Sequence, residues 1–484
     1  MNGGNSVNCC SLTYLAMSGL LIFILSALLL VGGYMLYSRI AEKLYGFNAT
    51  MQMPCEKQAD GVDYIAMPTW RVFMIQLLNI AGLGPVFGAL AGCLFGPVCL
   101  LWIVLGCIFA GAVHDFMAAL ASAERGGENL PEFIGRQLGK TALMFMRGLC
   151  MLLMLLVGVV FTSGPAGMLH GIVNTVPLLW WCVIILVYYF LATILPIDVI
   201  IGKIYPLFGA LFLFMAVGMA VALPFSGYEI LPNRDFFTNV HPQGLSAWPM
   251  LFVTVACGAI SGFHATQSPM MVRCLKSAKM MRPVFYGAMI TEGLVALIWA
   301  VVGMTLRDVI SATPAIAVKQ ACSLLLGPVG AVVAVLGVVV LPITSGDTAM
   351  RCCRLMLADI LNLSQRSILN RLLLAIPLFV AVIIIATLDF SIIWRYFGCV
   401  NQALSCFTLW ALAVLLKSRG RFHWCVSLPA FFMTNVCICF LLCSPDCMIS
   451  IPVGISTIVS LVISTACFAV FLCRCRPAEQ KIRH

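Results

Sequence analysis

The sequence predicts an all-α polytopic membrane protein of about thirteen transmembrane helices, two of them discontinuous. Three observations carry that reading. Apolar runs near the length of a bilayer span recur from one end of the chain to the other. Of the 484 residues, 62% are hydrophobic and only 10% charged, a composition that excludes an ordinary soluble domain. Two of the runs are interrupted at mid-depth by glycine, proline and polar side chains.

The runs place helices near 12–37, 70–96, 97–123, 141–162, 177–195, 205–223, 247–275, 284–306, 323–344, 368–388, 391–416, 424–444 and 450–473. The first reads as a retained helix, because its leader lacks Lys and Arg and the run outlasts a signal-peptide core. Basic residues then set direction. Arg39, Lys43 and Lys57 follow the first span, Arg125, Arg136 and Lys140 the third, and Lys203 the fifth. Arg273, Lys276, Lys279 and Arg282 follow the seventh, and Arg351, Arg354, Arg366 and Arg371 the ninth. Lys417, Arg419 and Arg421 follow the eleventh, and Arg474, Arg476, Lys481 and Arg483 the last. If the helices alternate, all of these share one side, and the other keeps Arg234, Arg307, Lys319 and Arg395. The positive-inside rule then predicts an outside N-terminus and a cytoplasmic C-terminus. The excess of 28 basic over 18 acidic residues is thus an orientation signal, and no nucleic-acid partner is expected.

Most of the 23 cysteines lie inside apolar runs, where Cys behaves as a small hydrophobe. The six histidines show no ligand spacing, so neither a metal site nor a cofactor is expected. Cys443 and Cys447, in a short loop, are expected as free thiols, with a disulfide as the alternative. No HExxH or GxSxG motif supports an enzyme.

The second run contains "NIAGLGPVFGALAG" (79–92), with Gly82, Gly84 and Pro85 near its midpoint. Proline removes a backbone donor and glycine permits an unwound chain. Freed peptide groups at that depth are tolerable only beside a cavity or tight protein packing. The seventh run has a matching stretch, "VACGAISGFHATQSP" (255–269), with Ser261, Gly262 and His264 at mid-depth. The two lie five spans apart, so five-helix units beginning at each would have opposite orientation, which predicts an inverted repeat with a midplane site. The plain alternative is that small residues merely let helices pack closely. The predicted organisation is an N-terminal helix and loop (1–69), a first repeat (70–223), a second repeat (247–417), two accessory helices (424–473) and a cytoplasmic tail (474–484).

Ionisable residues inside spans need a partner, a cavity or a task. Glu292 is the deepest, roughly 12 Å into its helix. A carboxylate in apolar surroundings holds its proton more firmly, which suits a proton carrier. Asp347 follows Thr344 and Ser345 at an expected helix end and makes an oxygen-rich candidate for H⁺ or Na⁺. A salt bridge from Asp347 to Arg351 is its alternative. His264 is placed to donate to an anion or to relay a proton. His114 and Asp115 read as a gate or helix-end pair, and Asn401 and Gln402 as polar glue between helices.

Several motifs carry a family likeness: "DGVDYIAMP" (60–68), "IAGLGPVFG" (80–88), "GCIFAGAVHDF" (106–116), "SGFHA" (261–265), "YGAMITEGLVA" (286–296), "DTAMRCCRLMLAD" (347–359) and "WRYFGCVNQ" (394–402). With these the chain resembles the carbon starvation protein A family of bacterial inner-membrane transporters. The resemblance implies a core like that of the amino acid–polyamine–organocation carriers, a peptide or proton-coupled pyruvate importer, and roles for His264, Glu292 and Asp347. The chain departs from the family pattern at Ile75 and Gln76, where the family carries two histidines, and at His114, where it usually carries Gln. Family members are often longer, with extra C-terminal spans. The function expected is import of small peptides or a small carboxylate, driven by H⁺ with Na⁺ as the alternative ion, in the inner membrane. Gly82, Gly84, Pro85, Ser261, Gly262 and His264 are the expected substrate contacts. The rival is a membrane-embedded nutrient sensor or assembly partner that binds a metabolite without moving it. Oligomeric state is left open.

Overall fold

The computed structural model describes residues 9–197, 201–232, 235, 238–311, 313–445 and 450–474. Arg234, Cys447, Arg476, Lys481 and Arg483 lie outside the described residues, and with them the Cys443–Cys447 pairing and nearly all of the predicted tail. Among the described residues, fourteen helices matter for the architecture. They are α1 (Cys9–Tyr45), α2 (Thr69–Ala81), α3 (Val98–Ala123), α4 (Lys140–Ile172), α5 (Leu178–Ile194), α6 (Ile201–Ala222) and α7 (Ala247–Thr254). After them come α8 (Gly262–Val272), α9 (Gly287–Thr305), α10 (Pro314–Leu361), α11 (Ile368–Ile385), α12 (Phe390–Ser418), α13 (Trp424–Cys443) and α14 (Val453–Arg474). Among the described residues there is no β-strand, only an isolated bridge between Met67 and Leu275.

Among the described residues, ten helices are long and apolar enough to cross a membrane, or eleven spans if α2 and its bent continuation count as one. Two of the expected spans fall short of that measure. α5 has 17 residues, and the 247–275 run is divided into helices of 8 and 11 residues.

Both interruptions are real breaks. α2 stops at Ala81 because Gly82 takes φ +46°, a conformation that only glycine adopts without strain. A wide turn over Gly84–Gly88 follows, and the continuation to Phe95 leaves at 51° to α2. α7 stops at Thr254, and α8 restarts at Gly262 behind an extended Ser261. α10 holds 48 residues, roughly 70 Å at the helical rise, more than twice a hydrocarbon core of about 30 Å. Gly327, at φ +69° and followed by Pro328, breaks it near its start. The helix then runs unbroken to Leu361, so Asp347 sits in mid-helix and not at the expected helix end.

α10 packs along α4, α5 and α6, while α12, α13 and α14 stack side by side. The α3 and α9 spans are the most buried, and α1 and α14 the most exposed. At the centre the two breaks touch. A Cβ added at Gly84 would lie 2.1 Å from the Cys257 Cβ, so only glycine allows this approach. Likewise a Cβ at Gly262 would meet the Asn401 carbonyl oxygen at 2.4 Å and the Ser405 amide nitrogen at 2.5 Å. Both of those atoms are helix backbone and cannot swing aside. Gly262→Ala is therefore expected to force α8 away from α12 at a cost of about 3 kcal/mol. The check is thermal unfolding of purified protein; an unchanged midpoint would mean that this contact is slack.

Candidate functional site

The two breaks face one cavity of about 490 Å³, within the range of roughly 300–1,000 Å³ usual for small-molecule sites. Gly84 and Gly88 line it from the first break, Thr254 and Cys257 from the second, and Arg395 and Asn401 from α12. A larger groove of about 630 Å³, between Tyr37, Trp102, Phe252 and Trp424, is almost wholly apolar and touches neither break. Polar chemistry favours the smaller one.

Of the six expected substrate contacts, only Gly84 lines the cavity. Gly82, Pro85, Ser261, Gly262 and His264 are buried behind its wall. The freed peptide groups of the second break are met by α12. Asn401 Oδ1 accepts from the Ser261 hydroxyl at 3.0 Å and from the Phe263 N–H at 2.8 Å. Gln402 Nε2 donates to the Ile260 carbonyl at 3.2 Å. Asn401 thus occupies one of the amides that would otherwise be open to an anion at the start of α8.

Behind that wall runs a chain of four ionisable side chains, each 0% exposed. His114 Nδ1 lies 2.8 Å from Asp115 Oδ1, and His264 Nδ1 lies 2.9 Å from Asp115 Oδ2. His264 Nε2 lies 3.5 Å from Glu292 Oε2. An ionised Asp115 can only accept, so each histidine donates from Nδ1 and turns Nε2 elsewhere. For His264 that means toward Glu292, neither of whose oxygens has a hydrogen-bond partner. Of the gate, helix-end or polar-network roles expected for His114 and Asp115, the geometry brings both into a buried polar network. Asp115 lies eight residues before the end of α3 at Ala123 and binds His264 across the core.

The Asp347 group is built differently. Tyr188 donates to Asp347 Oδ2 at 2.5 Å and Tyr205 to Oδ1 at 2.9 Å. Thr344 and Ser345 hold their hydroxyls 3.0 and 3.1 Å from the Leu78 carbonyl, one turn before the α2 break. They satisfy an acceptor that the broken helix has released. The alternative pairing of Asp347 with Arg351 does not form. Arg351 instead turns to Asp63, at 2.9 Å, and donates to the Leu195 carbonyl at 2.6 Å beyond the end of α5.

Asp63 is the centre of a third buried cluster. Asp60 Oδ1 gathers the amides of Val62, Asp63 and Tyr64 at 2.8–2.9 Å and folds the 60–64 loop inward. Arg354 Nη2 reaches Asp63 at 3.1 Å. Burial alone would push the Asp63 carboxyl up, but the Arg354 and Arg351 guanidiniums outweigh it and hold the group down at about 2. Nearby in space, Arg273 donates to the Gly127 carbonyl at 2.9 Å and to Asn129 at 3.1 Å, and Asn129 donates to Asp359 at 2.5 Å. Sequence reasoning missed Asp63, Tyr188 and Tyr205. The "DGVDY" motif pointed at the first; the tyrosines looked like any membrane aromatics.

Among the described residues, no group of three or more His, Cys, Asp or Glu side chains is arranged to hold a metal ion. The family model described as Carbon starvation protein CstA matches residues 18–171, 165–325 and 315–439. An uncharacterized membrane protein of Haemophilus influenzae is 40% identical over 348 residues, covering 60% of this chain and 94% of its own. Peptide transporter CstA of Bacillus subtilis is 27% identical, covering 60% of this chain and 59% of its own. Pyruvate/proton symporter BtsT of Escherichia coli is 26% identical, covering 58% and 48%. The chain therefore matches only about half the length of these two relatives. In fold it is similar to a mutant manganese transporter of Eremococcus coleocola, with a TM-score of 0.51 at 14% identity, covering 86% of this chain and 97% of that one. The matched segments, the shared fold and the long apolar helices agree: this multi-pass membrane protein belongs to the carbon starvation protein CstA family.

Proposed function

We propose that the protein is a secondary active transporter that imports small peptides or a small carboxylate such as pyruvate, by proton symport with Na⁺ as the alternative ion. One observation carries this reading. A cavity bounded by two broken helices lies one residue layer from a buried His–Asp–His–Glu chain. The link is short: Asn401 lines the cavity and binds Ser261 and Phe263, which open the helix that bears His264. A solute pressing on Asn401 thereby bears on the proton site.

In this mechanism the coupling proton moves between Glu292 Oε2 and His264 Nε2. Transfer turns a neutral pair into a carboxylate and an imidazolium, and Asp115 stabilises the imidazolium from its other nitrogen. Tyr188 and Tyr205 keep Asp347 supplied with two donors, a second site where a proton or Na⁺ would reside. The repeat organisation 70–223 and 247–417 fits this reading, as does a bacterial inner-membrane location with the N-terminus outside. On that orientation His241 and Thr313, which line the cavity, belong to its outer side. The Asp63–Arg351–Arg354 cluster then closes the cytoplasmic end, which is an outward-facing arrangement.

Uptake of labelled pyruvate and of L-alanyl-L-alanine into proteoliposomes tests the proposal, with pH and Na⁺ gradients imposed separately. Accumulation of either solute under an inward proton gradient is expected. Binding of a probe without uptake or exchange under any gradient would favour a sensor and sink the transport reading.

A further inference from the structure

The cavity wall holds one residue that the proton chemistry does not use. Arg395 lies in the second turn of α12 and lines the cavity beside Trp394, Phe397 and Gly398. Its Nε is buried and has no hydrogen-bond partner, and no carboxylate among the described residues pairs with its guanidinium. Arg395 as a whole is half-buried, and the fully buried arginines differ from it in having protein partners for their terminal nitrogens. Arg351 and Arg354 share Asp63, Arg273 is bound by Gly127 and Asn129, and Arg371 donates to the Ile194 carbonyl.

Among the described residues, no Asp or Glu lines the cavity either. Its one histidine, His241, stacks on Phe95 at 4.8 Å. Partial burial pushes the His241 imidazole down from its ordinary value, so it is uncharged at neutral pH. Among the described residues, Arg395 is therefore the fixed positive charge of an otherwise neutral, largely apolar lining. Half-exposed on the cavity wall and bound by no carboxylate, the guanidinium is free to grip an anion that enters. A cationic cargo would meet repulsion and no balancing carboxylate.

We propose that Arg395 is the carboxylate anchor of this site, gripping one free α-carboxylate of the bound solute through its planar fork. Asn401 lies six residues farther along α12, about 9 Å deeper. An extended dipeptide spans about 7 Å. With its carboxylate on Arg395, its amino end reaches the floor formed by Gly84, Thr254 and Asn401, where α7 has stopped and its last carbonyls have lost helical partners. A three-carbon acid gripped by the same arginine leaves that floor unfilled. The solute class is thus a short peptide with a free C-terminal carboxylate in preference to its amide, with pyruvate as a weaker occupant. This deepens the transport reading, but the binding it describes does not require movement across a membrane.

The experiment compares wild type, Arg395→Gln and Arg395→Lys with three probes: L-alanyl-L-alanine, its C-terminal amide and pyruvate. Each is measured by ligand-induced thermal stabilisation of purified protein and by uptake into proteoliposomes. Wild type is expected to prefer the free acid over the amide by about tenfold or more, the worth of a charge-assisted pair. Arg395→Gln should erase that preference, and Arg395→Lys should restore part of it, since it keeps the charge without the fork. Arg395→Lys also shows that loss in the Gln variant is not misfolding. Acid-selective stabilisation that depends on Arg395, without accumulation, supports the anchor and defeats only the transport reading. Uptake or stabilisation that stays acid-selective in Arg395→Gln overturns the anchor and leaves transport standing. A wild type that treats acid and amide alike, or binds no probe, overturns the anchor as well.

Discussion

Glu292→Gln is expected to abolish accumulation driven by a pH gradient while leaving exchange of solute across the membrane intact. Glu292 is 0% exposed and neither oxygen has a donor, an arrangement far more costly for a carboxylate than for a neutral acid. Glutamine copies the size and neutrality of the acid, so the fold should survive. What it removes is the proton that His264 Nε2 stands 3.5 Å away to receive. With one proton per solute, a gradient of about one pH unit supplies at most about tenfold accumulation. Wild-type vesicles should approach that limit, and the variant should stop at equal concentrations inside and out. Counterflow, which needs no net proton movement, should persist. If Glu292→Gln still concentrates solute under the same gradient, the carboxylate is structural and the proton runs through Asp347.

Half of that proton chain is visible in the sequence alone. His264 and Glu292 were both legible, because each is an ionisable group deep in an apolar run, and such groups are too costly to be idle. Asp115 was not, because a His–Asp pair near the end of a span looks the same whether it faces water or a residue 149 positions away. The breaks at Gly82–Pro85 and Ser261–Gly262 were readable from local backbone chemistry alone. Their meeting at Gly84 and Cys257 was not, since close approach is a tertiary fact. The same limit hid the Asp347 partners: Tyr188 and Tyr205 approach from α5 and α6, and nothing in spacing distinguishes them from neighbouring aromatics. Arg351 sat one helical turn from Asp347, and a local rule paired them. A buried loop carboxylate at Asp63 offered a better geometry, two guanidiniums to one acid, and competition between local and distant partners cannot be judged from sequence spacing.

Asp63→Asn is expected to be the most destabilising single polar substitution outside the membrane core, and its cost should depend on pH in a defined direction. Removing the charge leaves Arg351 and Arg354, both 0% exposed, without a counterion. Breaking one side of a buried ion pair typically costs about 3–5 kcal/mol. Because the guanidiniums hold Asp63 at about 2, below its ordinary 3.8, its ionised form is favoured by the fold. The stability it contributes is fully present above the ordinary value and drains away as pH falls through the depressed one. Thermal midpoints of wild type and Asp63→Asn should therefore differ by a constant amount from neutral pH to about pH 5, then converge between about pH 4 and pH 2. Equal midpoints at pH 7 would show that Asp63 does not hold the two arginines. The same substitution probes the gate. Asp63 ties the 60–64 loop to the far end of α10, whereas Thr344, Ser345 and Asp347 on that helix meet the α2 break and the tyrosines. On the proposed transport cycle and orientation, loosening one end of the unbroken 328–361 part of this helix should favour a cytoplasm-open form, read as faster labelling of cysteines introduced beneath the cluster. A variant that is less stable yet labels no faster would make Asp63 a structural clamp and leave the inner gate to be found elsewhere along α10.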